Sequence, residues 1–210
     1  MNSEQEEFSY HGAHCFSVKV PAIGPAKAVY YDLAAFRYCL SYIRKHGCRG
    51  AVIYVLACRI GPFIAGLKRR LKALGGTLYV NPDGHEWMRS KWNRAIKKYW
   101  KLSERLMVKA ADLLICDSQN IEEYIQKEYA AYRPETSYIA YGADVVGDGM
   151  GAAVSDREEN VYTDWLEKHG IKPQEYYLIV GRFVPENNYE LMISEFMKSE
   201  TKKDLVIVTN

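Results

Sequence analysis

The sequence predicts an α/β protein built on a doubly wound parallel sheet, and three observations carry that prediction. Strand-like and helix-like patterns alternate along almost the whole chain. Ala51–Ala57 is an unbroken apolar run with three β-branched residues, as expected for a strand covered on both faces. Proline and glycine stand where helices should start and stop, with Gly47 closing one, Pro62 opening the next and Gly75-Gly76 ending it.

Taken in order, Tyr10–Val20 reads as one or two short strands. Tyr30–His46 reads as a helix, because Leu33, Phe36, Leu40 and Ile43 recur at three- and four-residue spacing. After strand Ala51–Ala57 come helix Pro62–Leu74 and strand Thr77–Asn81. A long helix, Lys91–Ala110, leads to strand Leu113–Cys116. Helix Asn120–Tyr129, capped by Ser118 or Asn120, precedes strand Ser137–Ala140. Val145–Ser155, rich in Gly, Ala and Asp, reads as a loop, with a short helix near Tyr162–His169. Strands Tyr176–Val180 and Leu205–Val208 then flank helix Tyr189–Lys198. That last βαβ unit is small for an independent domain and either docks on the first sheet or begins a larger one.

Composition narrows the class. The 210 residues are 48% hydrophobic and 26% charged, enough to bury a sizeable core, with a net charge of +2. The charge is uneven: residues 1–150 carry 21 basic and 15 acidic side chains, and residues 151–210 carry 7 and 11. That split suggests two units with different partners. The five cysteines are odd in number and include no Cys-x-x-Cys pair, so they read as buried thiols in a reducing, cytoplasmic setting. Gly50–Leu67 is the stretch nearest to a membrane span, but Arg59 at its centre and Gly61-Pro62 make it a strand followed by a helix. The polar, acidic opening Met1–Glu7 is not a secretory signal.

In a parallel sheet of this kind ligands bind outside the carboxyl ends of the strands. The residues placed there are Cys58-Arg59-Ile60-Gly61, Pro82 to Trp87, Asp117-Ser118, Tyr141-Gly142-Ala143-Asp144 and Gly181-Arg182. The last pair is the most informative. An apolar strand delivers a glycine that lets backbone approach a ligand and an arginine that can fork onto phosphate oxygens, and a helix opens soon afterwards. The same pattern also serves as plain α/β structure. Asp83 and Glu86 fit either a chemical role or the capping of a turn, His85 is either catalytic or a loop residue, and Trp87 and Trp92 read as packing residues.

Read together, these loops resemble a family 4 bacterial glycosyltransferase of the GT-B fold, and more narrowly the rhamnosyltransferase group of cell-wall and capsule polysaccharide synthesis. The matching pieces are Gly24 to Asp32, Asn81-Pro82-Asp83-Gly84-His85-Glu86-Trp87 with Arg89, Lys91 and Trp92, Ala111 to Ser118, Tyr138 to Asp144, and Gly181-Arg182-Phe183-Val184-Pro185-Glu186-Asn187-Asn188. The resemblance implies a Rossmann-like, acceptor-side domain over 1–145 lacking its first strand, a linker and helix over 146–175, and the beginning of a donor-binding Rossmann-like domain over 176–210. It implies a nucleotide-diphosphate sugar, dTDP-rhamnose, transferred with retention to a lipid-linked saccharide acceptor, and no metal or other cofactor. Carried over, Gly181, Arg182, Glu186, Asn187 and Asn188 bind the donor, with Arg182 on its diphosphate. Asp83, His85 and Glu86 become the catalytic candidates. Arg59, Arg89, Ser118, Tyr141, Gly142 and Asp144 line the acceptor side of the cleft. Many family members pair the arginine with a lysine where this chain has Asn187-Asn188. The family's opening strand with its glycine-rich loop and the second domain's carboxylate motif are not present, so the chain reads as an internal fragment, inactive alone. A binding module without transfer activity is the alternative. A dinucleotide oxidoreductase is disfavoured because no Gly-x-Gly-x-x-Gly follows any strand.

One helix carries a further signal. Lys91, Arg94, Lys98, Lys101, Arg105 and Lys109 recur at three- and four-residue spacing over residues 91–109, with Trp92, Ile96, Tyr99 and Leu106 as the apolar face. The stripe reads as a solvated face or as a peripheral contact with anionic headgroups at the inner face of the plasma membrane. Nucleic acid fits poorly, since overall charge is near neutral and exposed aromatics do not flank the stripe.

Overall fold

The computed structural model describes residues 7–24, 26–142 and 156–209. The chain divides into two compact units, Met1–Tyr141 and Gly142–Asn210, each described here by itself. The predicted loop Val145–Ser155 lies outside the described residues.

The first unit opens with an antiparallel hairpin, β1 (Glu7–Tyr10) and β2 (Ala13–Phe16). Helix α1 (Ala26–His46) follows, and the Cys48 N–H reaches back to the Ile43 carbonyl at 3.2 Å across Gly47, which sits at φ +61°. Then come β3 (Val52–Val55), α2 (Gly61–Ala73), β4 (Thr77–Val80), α3 (Arg94–Ala110), β5 (Leu113–Cys116), α4 (Gln119–Glu128) and β6 (Thr136–Tyr138). Strands β3 to β6 form a parallel four-stranded sheet in sequential order. The α/β, Rossmann-like class expected from the sequence is what the chain forms.

Sequential order with right-handed crossovers places α2, α3 and α4 on one face of the sheet. The core lies there: Ile53, Leu78, Val80 and Leu114 pack with Phe36 and Leu40 of α1, Ile64 and Leu71 of α2, Met107 of α3 and Ile125 of α4. The opposite face is more open, with Val52 49% and Tyr54 42% exposed. The run Ala51–Ala57 is therefore covered on one face, not both as its composition suggested.

Two helices show what fixes their ends. The N–H of Gly61, at the start of α2, bonds to Ser103 Oγ at 2.8 Å, and a β-carbon at Gly61 would lie 2.3 Å from the Ser103 carbonyl oxygen. Glycine is required because the backbones of α2 and α3 touch at this point. Helix α3 begins at Arg94, not at Lys91, because the Asn93 side chain caps it by accepting the Ile96 N–H at 3.0 Å.

In the second unit, α5 (Asp156–His169), β7 (Tyr176–Val180), α6 (Tyr189–Lys198) and β8 (Asp204–Val208) complete the order. Strands β7 and β8 pair in parallel, Tyr176 opposite Asp204 through Val180 opposite Val208, as a sheet of their own. They do not extend the first sheet. No described helix is long and apolar enough to cross a membrane.

Candidate functional site

In the first unit the carboxyl ends of all four parallel strands carry polar side chains. Beyond β3, the Arg59 guanidinium stands 3.4 Å from both oxygens of Asp32 on α1, and its carbonyl accepts the Tyr99 hydroxyl at 2.8 Å. Burial raises the Asp32 pKa, opposed by the Arg59 charge. Arg59 is thus shared with a carboxylate that residue-by-residue reading did not single out.

Beyond β4, buried Asn81 organises the turn. Its Oδ1 accepts the Asp83 N–H at 2.7 Å, and Asp83 Oδ1 accepts the Gly84 N–H at 2.8 Å. Asp83 sits at φ +56°, a left-handed conformation that Asp tolerates better than most residues, and such strain concentrates at functional sites. The next residues have a different task. Glu86 accepts the Trp92 indole N–H at 2.8 Å, pairs with Arg89 Nε at 2.8 Å and lies 3.4 Å from Lys91 Nζ. Glu86, a catalytic candidate, and Arg89, an acceptor-side candidate, are therefore paired with each other, and they lock the turn ahead of α3. His85 packs edge-on against Tyr124 at 4.2 Å and Trp87 at 5.7 Å between ring centroids.

Beneath this turn lies a carboxylate missed in the sequence. Glu104 on α3 is 5% exposed and accepts Trp87 Nε1 at 3.1 Å, the Tyr124 hydroxyl at 2.6 Å, the Tyr129 hydroxyl, and Lys101 Nζ at 3.3 Å. Burial, then the hydrogen bond to Glu104, pushes the Tyr129 and Tyr124 pKa values up. For Lys101, burial alone would lower the pKa. Hydrogen bonds to Glu128 and Tyr124 and the Glu104 charge outweigh it and raise the value. The signal was legible: a glutamate between Trp100 and Met107 on a helix's apolar face has to be partnered.

Beyond β5 and β6, Asp117 bonds the Tyr141 hydroxyl. Tyr141 is 80% exposed, yet local desolvation, then the Asp117 charge and hydrogen bond, raise its pKa, and Asp83 and Tyr54 add to the effect. The buried Cys116 thiol is raised to about 11 by burial, then by Glu122 and Asp117. Cys58 is raised well above its ordinary value by burial, then by Glu104, Asp83 and Cys116. Ser118 occupies the position before α4 without a side-chain capping bond, and Gly142 is exposed. Asp144 lies outside the described residues.

In the second unit β7 leads into Gly181, whose N–H bonds the Val208 carbonyl at 3.0 Å. A β-carbon here would meet the buried Tyr189 hydroxyl at 2.9 Å, so only glycine fits without a shift. The Arg182 carbonyl accepts Val184 N–H at 2.9 Å and Asn187 Nδ2 at 2.8 Å, which braces the loop. The Arg182 side chain is exposed and has no carboxylate partner among the described residues. Asn188 adopts φ +51° at the position preceding α6, with no side-chain cap, and Glu186 stands exposed on the turn. A guanidinium with no carboxylate partner among the described residues, ahead of a helix start without a side-chain cap, is suited to a phosphate group.

Residues 1–144 match the model of a family described as a domain of unknown function, DUF1972, a domain found in glycosyltransferase-like proteins. No curated protein matches the chain.

Proposed function

This chain belongs to the DUF1972 family, and we propose that it is a glycosyltransferase, a hexosyltransferase that moves L-rhamnose from dTDP-rhamnose, with retention, onto a lipid-linked saccharide in polysaccharide synthesis. The sugar, the nucleotide and the acceptor rest on the sequence resemblance. The observation that carries the reading is Arg182. It follows Gly181 at the carboxyl end of β7, it is exposed, and no described carboxylate neutralises it. On the donor, Arg182 and the start of α6 stabilise the diphosphate as the bond to the anomeric carbon breaks. In the first unit, Asp83 and Asp117 are carboxylates at strand ends and serve as candidates for binding the acceptor. Glu86 acts by fixing the turn, because its oxygens already serve Arg89, Lys91 and Trp92.

That commitment of Glu86 also favours a second reading, a nucleotide-sugar or anion binding module without transfer. Calorimetric titration of the full chain with dTDP and with NAD tests the first reading. dTDP binding without NAD binding supports it. Binding of NAD alone, or of neither, overturns it. Coupled-assay turnover of dTDP-rhamnose by these residues would exclude the binding module.

A further inference from the structure

Helix α3 carries a basic surface that the proposed reaction leaves unused. Its cations read in sequence as one stripe, and the structure divides them. Lys91 precedes the helix and pairs with Glu86 at 3.4 Å. Lys101 lies 3.3 Å from Glu104 and 2.8 Å from Glu128. Lys98, Arg105 and Lys109 have no carboxylate partner among the described residues. At 3.6 residues per turn these three point within about 40° of one another, in a row about 16 Å long. Leu102, 49% exposed, stands about 20° outside that arc, on the Lys109 side.

Beside the row lies a groove of about 530 Å³, floored by Tyr129 at the end of α4 and Tyr132 in the turn after it. Arg105 Nε donates to the Tyr132 hydroxyl at 2.6 Å, and Lys109 Nζ stands 5.6 Å from the centre of that ring. Tyr132 thus braces the guanidinium while its two Nη groups meet no protein acceptor among the described residues.

We propose that this groove and its row of cations are a docking surface for an anionic bilayer, with phosphate-bearing headgroups between Lys98, Arg105 and Lys109 and Leu102 entering the interface. The surface is complementary in charge to such a membrane, and an exposed leucine among cations gains by leaving water there. A row about 16 Å long is far longer than one phosphate, which argues against a free phosphate ester. Nucleic acid is disfavoured because Tyr129 is buried and Tyr132 is covered by Arg105 and Lys109, leaving no open ring for a base to stack on.

The test is sedimentation of the full chain at low salt with vesicles of phosphatidylglycerol and phosphatidylcholine, against phosphatidylcholine alone. The chain should bind only the anionic vesicles. Each of Lys98→Gln, Arg105→Gln and Lys109→Gln should weaken partitioning about fivefold, and the triple variant about a hundredfold. Leu102→Ser should weaken it as well, and added salt should release the protein. Unchanged melting temperatures establish that the variants fold. Equal binding to neutral vesicles, retained binding in the triple variant, or an equal loss in the α2 control Arg69→Gln would overturn the proposal. Binding of soluble glycerol phosphate, abolished in the triple variant, with no sedimentation on vesicles, would overturn it in favour of a free phosphate ester.

Discussion

Replacing Glu104 should destabilise the first unit more than any other single polar substitution, and the structure supplies the magnitude. Glu104→Ala removes the acceptor of Trp87 Nε1 and of the Tyr124 and Tyr129 hydroxyls, and it leaves Lys101 with Glu128. Each stranded buried donor costs about 1–3 kcal/mol. Tyr124 is only half-buried and regains water, so the total should fall near the 3–5 kcal/mol typical of breaking a buried charged network. Glu104→Gln, which keeps one acceptor oxygen and the shape, should cost about 1–2 kcal/mol. Urea unfolding followed by tryptophan fluorescence measures both variants. The pH dependence gives a second reading. Burial and the Glu104 hydrogen bond raise Tyr124 and Tyr129 above the ordinary value of 10.0. A group with a raised folded pKa contributes stability that is complete below its unfolded value and is lost as pH rises beyond it. The wild type should therefore lose stability above pH 10, and Glu104→Ala should show a shallower alkaline slope. A Glu104→Ala variant within about 1 kcal/mol of wild type would refute the network as described.

Three further outcomes are expected. Gly61→Ala puts a methyl group 2.3 Å from the Ser103 carbonyl oxygen and 2.5 Å from its Cα, so it should cost about 1–3 kcal/mol in thermal unfolding, and an unchanged melting temperature would contradict the close contact of α2 and α3. Native protein treated with a disulfide reagent should leave Cys58 and Cys116 unmodified until it unfolds, since both thiols are buried and raised, Cys116 to about 11; prompt labelling of all five cysteines would contradict this. Burial raises the Asp112 pKa, but the hydrogen bonds from Lys68 and the Leu78 N–H prevail and lower it below 3.8, so it contributes stability that is present above that pH and is lost as pH falls. Asp112→Asn should flatten the acid limb of the stability profile, and an unaltered limb would show that the pair contributes nothing.

Much of the fold was legible because its strands are short apolar runs between sharp punctuation. Leu113–Cys116, Tyr176–Val180 and helix Tyr189–Lys198 form as read. The start of α3 was not legible, because Lys91 and Trp92 continue the helical pattern while Asn93 caps it and Glu86 draws both residues into the preceding turn. The open face of β3 was hidden for another reason. An apolar run reveals that a strand is buried, but the order of strands in the sheet decides which face the helices cover. At the site, Gly181-Arg182 and the strand-end loops were readable from topology alone. The pairing of Glu86 with Arg89 was foreshadowed by i,i+3 spacing, yet whether a glutamate does chemistry or fixes a turn depends on contacts no local pattern encodes. The Arg59–Asp32 and Asp117–Tyr141 pairs join residues more than twenty positions apart, and only the folded sheet brings them together.

The proposed function stands on the Arg182 guanidinium holding a diphosphate. Dissociation constants for dTDP should be measured side by side for wild type, Arg182→Ala and Asp83→Asn. A charge-assisted hydrogen bond contributes about 1.5–3 kcal/mol, so Arg182→Ala should bind about ten- to a hundredfold more weakly while Asp83→Asn matches wild type. Equal affinity in Arg182→Ala and wild type would contradict the claim.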